Sequence, residues 1–103
     1  MTLEEFKEQL ETTGFPVAYL EFPKEEPHDP PFICYLVTGQ EPFHADGIVY
    51  YSSPEIQVEL YTNAKDLAAE AKVEEALNLW NYEKEEGFIE EEKIYLATYR
   101  LVL

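Results

Sequence analysis

Basic residues are scarce in this chain: seven Lys and Arg stand against 22 Asp and Glu in 103 residues, a formal net charge of -15. A field of that sign repels phosphates and anionic headgroups, which argues against specific nucleic-acid binding and against a membrane surface. No apolar run approaches the ~20 residues needed to cross a bilayer. The start, Thr2-Leu3-Glu4-Glu5, lacks the basic and apolar regions of a secretory signal. One cysteine, Cys34, excludes a disulfide within the chain. Set in an apolar run, it reads as a small buried hydrophobe in a reduced cytosolic protein rather than as a nucleophile. Glycine occurs four times, each time at an expected turn, so no glycine-rich phosphate loop is present.

Apolar and aromatic residues are not lacking. Hydrophobic residues make up 46% of the chain and aromatics 15%, enough for a packed core despite the charge. The length suits one domain spanning 1–103. The segment from Glu55 to Trp80 anchors the reading. Ile56, Val58 and Leu60 alternate with Glu55, Gln57, Glu59 and Tyr61, the period of a half-buried strand. Thr62 to Asp66 breaks that pattern, and Asp66 is placed to cap a helix. Ala69, Val73, Ala76, Leu77 and Trp80 follow at helical spacing, with Glu70, Lys72, Glu74 and Glu75 on other faces.

Around this unit the remaining elements fall in order. Thr2 and Glu5 form a capping box for a short helix with Leu3, Phe6 and Leu10 on one face, stopping near Thr12 or Thr13 before Gly14 and Pro16. Val17–Phe22 reads as a strand. Pro23 to Pro31 holds four prolines in nine positions and reads as a stiff extended loop. Phe32–Val37 is apolar enough for a central strand, and Thr38–Pro42 reads as a turn. Ile48–Tyr51 reads as a third strand, joined through Ser52-Ser53-Pro54 to the Glu55–Tyr61 strand in a long hairpin. Asn81–Glu86 reads as a short acidic strand, Gly87–Glu90 as a turn, and Lys93–Leu103 as the last strand. The expected class is α+β: a mostly antiparallel sheet of about five to six strands carrying two helices, in the order α-β-β-β-β-α-β-β.

No catalytic constellation emerges. His28 and His44 are isolated and have no Cys or second His at ligand spacing, so neither metal nor cofactor is expected. Ser52 and Ser53 stand beside a proline, outside any nucleophile-elbow pattern. The acids Glu83, Glu85, Glu86, Glu90, Glu91 and Glu92 lack the spacing and glycine of a calcium loop. An enzyme is not expected. Tyr35, Tyr50, Tyr61 and Tyr99 are expected on the sheet face opposite the helix, a protein-contact surface. The charge itself leaves three explanations open: a soluble acidic surface, a surface that DNA passes without sticking, or one that imitates DNA.

Several segments in order carry a family resemblance. They are Ala18-Tyr19-Leu20-Glu21-Phe22-Pro23, Pro30-Pro31-Phe32-Ile33-Cys34-Tyr35-Leu36, Phe43-His44-Ala45-Asp46 and Val49-Tyr50. Val58-Glu59-Leu60-Tyr61-Thr62, Lys65-Asp66, Val73-Glu74-Glu75-Ala76-Leu77 and Ile89-Glu90-Glu91-Glu92-Lys93 complete the set. Together they resemble the small tail-completion proteins of long-tailed phages and prophages of Gram-positive bacteria. The resemblance covers nearly the whole chain through the order of short segments, without a strict motif or a catalytic signature. It implies a tail terminator or head–tail joining protein, a virion component present in the host cytoplasm before assembly. It further implies a hexameric ring of copies of this chain on the tail tube, with the major tail-tube protein and a head-completion protein as partners. Such a ring would give the charge a use, as an acidic lumen through which DNA slides. Under that reading Glu83, Glu85, Glu86, Glu90, Glu91 and Glu92 are candidate lumen-facing acids. Pro27, Asp29, Gln40, Phe43, Asp46, Tyr50 and Tyr51 are candidate subunit or partner contacts. The competing reading is a small acidic decoy that binds a DNA-binding protein by imitating nucleic acid.

Overall fold

A computed structural model describes residues 1–21, 29–45 and 48–103, with the backbone alone for residues 40–45 and 48–53. The chain forms α1 (Leu3–Glu11), β1 (Val17–Tyr19), β2 (Phe32–Ala45), β3 (Ile48–Thr62), α2 (Leu67–Ala76), β4 (Tyr82–Ile89) and β5 (Ile94–Val102). The five strands lie in the order β1-β2-β3-β5-β4. Only β1 runs parallel to its neighbour, and every other pairing is antiparallel. The fold is α+β.

Local sequence sets both helix starts. At α1 the Thr2 hydroxyl accepts the Glu5 N–H at 3.1 Å and the Glu5 carboxylate accepts the Thr2 N–H at 2.9 Å. Those two bonds, with the Thr2 backbone first in importance, hold the Glu5 carboxyl below its ordinary pKa. Gly14 ends the segment at φ +85, a left-handed conformation that glycine adopts without a Cβ penalty. At α2 the Asp66 carboxylate accepts the Ala69 N–H at 3.0 Å. Asp66→Ala is expected to lower stability by about 1 kcal/mol, read from urea unfolding, because that N–H then loses its partner.

One face of the sheet takes both helices. Ile33 and Tyr35 of β2, Ile56, Val58 and Leu60 of β3, and Ala97, Tyr99 and Leu101 of β5 meet Phe6 and Leu10 of α1 and Ala69 and Val73 of α2, with Leu77 just beyond it. Phe6 is fully buried and sits edge-on to Trp80 at 5.2 Å between ring centroids. The period-two alternation of β3 is what delivers three of these side chains to a single face.

Several expected boundaries move. Thr38–Pro42 is not a turn: β2 continues through it to Ala45. Gly39 belongs to a bulge, since Val37 pairs with Ile56 and Gly39 with Glu55, leaving Thr38 extra. Ser52-Ser53-Pro54 is not a connector, because it lies inside β3, so the two strands expected on either side of it are one. The long hairpin is therefore β2–β3, and five strands form where six were counted. β1 is three residues long rather than reaching Phe22, which lies outside the described residues. β4 runs on through Gly87 to Ile89, moving the turn to Glu90–Lys93, with Lys93 at φ 52. Tyr35 and Tyr99 lie in the core under the helices rather than opposite them, because they share the parity of Ile33 and Leu101. Of that expected tyrosine set, Tyr61 does face the other way, and the side chain of Tyr50 lies outside the described ones.

Candidate functional site

The sheet face away from the helices can be read off the register. One row across it is Leu36–Gln57–Arg100–Glu83, the next is Cys34–Glu59–Thr98–Glu85, and the next is Phe32–Tyr61–Leu96–Gly87. Glu55 and Val102 pair at one end of the face. Four carboxylates (Glu55, Glu59, Glu83 and Glu85) thus share this face with the guanidinium of Arg100, which pairs with Glu85 at 3.1 Å. Glu59 is held in place: Gln57 Nε2 and Tyr61 Oη both donate to its carboxylate, at 3.0 and 3.1 Å. Phe32 stacks on Tyr61 at 4.8 Å between centroids. Burial, then the Glu59 carboxylate, pushes the Cys34 thiol up to about 11, so at neutral pH it stays a thiol. Burial and the same carboxylate raise the Tyr61 hydroxyl as well.

Two lysines are engaged on the other side of the sheet. Glu70 is buried, and its Oε1 accepts from Lys65 at 2.9 Å and from Lys84 at 2.6 Å. Lys84 also donates to Glu74 Oε2 at 2.7 Å, which takes the Tyr99 hydroxyl at 2.9 Å. Lys65 pairs in addition with Glu86. Bonds to Glu86 and then Glu70 raise the pKa of Lys65, and the same lysine, followed by Tyr95, lowers that of Glu86. Burial works against charge on Lys84, but its bonds to Glu70 and Glu74 outweigh it and raise its pKa. The helix pattern alone put Glu70 and Glu74 off the buried face. They turn inward because Lys84 and Tyr99, on the adjoining strands β4 and β5, supply their partners.

The candidate residues divide accordingly. Glu83 and Glu85 lie on the open sheet face, Glu86 lies on the helix side bound to Lys65, and Glu90, Glu91 and Glu92 are exposed in the β4–β5 turn. Gln40, Phe43, Tyr50 and Tyr51 fall on the backbone of the β2–β3 hairpin, while Asp29 is exposed before Pro30. Pro27 and Asp46 lie outside the described residues. Glu55 and Glu59 were not singled out from sequence as site acids, although their alternation with Ile56, Val58 and Leu60 already assigned them to the face opposite the apolar one. Among the described residues no group of three or more His, Cys, Asp or Glu is arranged to hold a metal ion, and no helix is long and apolar enough to cross a membrane. In comparisons with known proteins, no family model matches this chain and no curated protein does.

Proposed function

We propose that this chain is a non-enzymatic component of a phage virion, a tail terminator or head–tail joining protein that forms a ring on the tail tube. The observation that carries the reading is the sheet face away from the helices, where Glu55, Glu59, Glu83 and Glu85 stand and Arg100 is the one cation among the described residues. Turned toward the axis of a ring, such a wall repels DNA phosphates and lets a genome slide past without sticking. The internal use of Lys65 and Lys84 supports this, because pairing within the protein keeps those cations from offsetting the outer acids. The order of helices and strands agrees with the family that the sequence resembles. The β2–β3 hairpin supplies a contact element for a neighbouring subunit or for the tube.

In this reading the mechanism is geometric. The ring ends tube polymerisation and offers a face to the head. The test is to tag the chain, express it during induction of its phage or prophage, and identify what co-purifies. Tail-tube or head-completion proteins are expected. Recovery of a host nuclease, polymerase or repressor would replace the reading with the acidic decoy.

A second expectation concerns the wall itself. Reversing Glu55, Glu83 and Glu85 to lysine together is expected to abolish infectivity while leaving the circular dichroism spectrum intact. Glu59 is spared because it anchors Gln57 and Tyr61. Unchanged infectivity would remove the wall from the DNA path.

A further inference from the structure

β4 closes one side of the sheet, and among the described residues it pairs with β5 alone. One bond settles which of its backbone groups point away from the sheet. The Leu103 N–H donates to the Pro54 carbonyl at 2.9 Å, so Leu103 turns its polar backbone groups toward β3. Alternation along β5 then directs Leu101, Tyr99, Ala97 and Tyr95 toward β3, and Arg100, Thr98, Leu96 and Ile94 toward β4. The partners of that second set, Glu83, Glu85, Gly87 and Ile89, direct their N–H and carbonyl groups at β5. Those of Tyr82, Lys84, Glu86 and Phe88 therefore point outward. The register holds from Tyr82 to Ile89 without a shift.

The side chains along this edge carry one sign of charge on one face. Glu83 and Glu85 lie away from the helices, followed by Gly87 and Ile89. Among the described residues Glu83 has no ion pair, and Glu85 meets Arg100 in an exposed pair. Beside Gly87 there is room, since a Cβ there would meet nothing within 4 Å. On the helix side Lys84 is engaged by Glu70 and Glu74, Glu86 is engaged by Lys65, and Phe88 is 54% exposed. Where β4 begins, the end of the sheet is hollowed into a groove of about 740 Å³, with Leu79, Trp80 and Tyr82 beside Glu55, Glu83 and Arg100. A long cationic side chain, apolar along its stem and charged at its tip, suits that mixed lining.

We propose that the outer edge of β4 docks an extended basic segment of another protein, which adds to the sheet as one further antiparallel strand. Its backbone bonds to Tyr82, Lys84, Glu86 and Phe88. Its residues opposite Glu83 and Glu85 fall in the positions between those bonds, where facing side chains come closest, and these are Lys or Arg. The one opposite Glu83 reaches the groove. A large apolar residue fills the space over Gly87, and another meets Ile89. Charge on an edge strand ordinarily keeps other strands away. Here it selects: a second copy of β4 laid antiparallel about Lys84 brings carboxylate against carboxylate and ammonium against ammonium. The inference stands apart from the ring reading, and it leaves Glu55 and Glu59, on β3 beyond β5, without a new partner on the wall.

The test titrates the full chain with the acetylated and amidated peptide Ile-Val-Phe-Thr-Arg-Thr-Arg, whose residues in order face Ile89 back to Glu83. Calorimetry reads binding, and hydrogen exchange reads the β4 amides. Saturable binding is expected. With the peptide at about ten times its Kd, the Lys84, Glu86 and Phe88 amides are expected to exchange about tenfold more slowly, while Glu85 and Gly87, already bonded to β5, change less. The same peptide with both arginines replaced by glutamate is expected not to bind. Glu83→Gln/Glu85→Gln, at two exposed positions, is expected to weaken binding of the arginine peptide by about tenfold with the circular dichroism unchanged. No binding of the arginine peptide up to about 1 mM would overturn the proposal. Equal binding of the two peptides would overturn it, and so would binding that leaves the Lys84, Glu86 and Phe88 amides as fast as in the free chain. The ring reading is decided separately, by what co-purifies with the chain.

Discussion

Phe6→Ala is expected to destabilise the protein by about 3–5 kcal/mol. Phe6 is 0% exposed and its ring meets Trp80 at 5.2 Å and Tyr35 at 6.2 Å, so it joins α1, the segment after α2 and the sheet in one contact set. Truncation removes the apolar transfer term and leaves a cavity that two rigid aromatic neighbours cannot readily fill. Small domains are stable by only about 5–15 kcal/mol, so the loss is a large share of the total. Urea unfolding followed by tryptophan fluorescence measures it directly, since Trp80 is the single tryptophan. A loss below about 1 kcal/mol would mean that α1 is not docked through Phe6.

The second large effect is expected at the buried ion cluster. Lys84→Met leaves Glu70, with a side chain 3% exposed, facing Lys65 alone, and leaves Glu74 with only the Tyr99 hydroxyl. Breaking a fully buried pair costs about 3–5 kcal/mol; Lys84 is partly exposed and Lys65 remains, so a loss of about 2–3 kcal/mol is expected. The double variant Glu70→Leu/Lys84→Met is expected to recover about 1 kcal/mol of that, because it removes the stranded charge as well. The effect has a pH signature. Burial opposes charge on Glu74, but its bonds to Lys84 and Tyr99 outweigh this and bring its pKa below the ordinary 4.5. A carboxyl with a depressed folded-state pKa contributes stability that is fully present above its unfolded value and is lost as pH falls through the folded one. The gap between the unaltered protein and Lys84→Met is therefore expected to be widest above pH 4.5 and to narrow below it. A gap constant from neutral pH into that acidic range would contradict the assignment.

What the sequence makes legible here is local. The Thr2–Glu5 capping box, the left-handed stop at Gly14 and the Asp66 cap each depend on residues within three positions of one another. The alternation through Ile56, Val58 and Leu60 needs only a strand and an apolar neighbour, and it carries Glu55 and Glu59 to the open face without further information. The β2–β3 hairpin is illegible for the opposite reason. Gly39 and Pro42 look like turn residues one at a time, and only pairing with Glu55 and Ser52 turns them into a bulge and a strand position. Glu70 is hidden in the same way: helical spacing cannot disclose that Lys84, 14 residues onward, is placed to neutralise it. Glu86 directly follows Glu85 in the same acidic run, yet strand parity sends it to Lys65 rather than to the face away from the helices. Tyr35 and Tyr99 show that an aromatic in a strand declares its preference for a sheet but not which side is covered.

The most direct measurement of the central proposal is the position of the chain in the particle. Virions produced with a short tag on this protein, labelled with gold and imaged by electron microscopy, are expected to carry the label at the junction of tail and head. Particles that form, infect and carry no label there would contradict it.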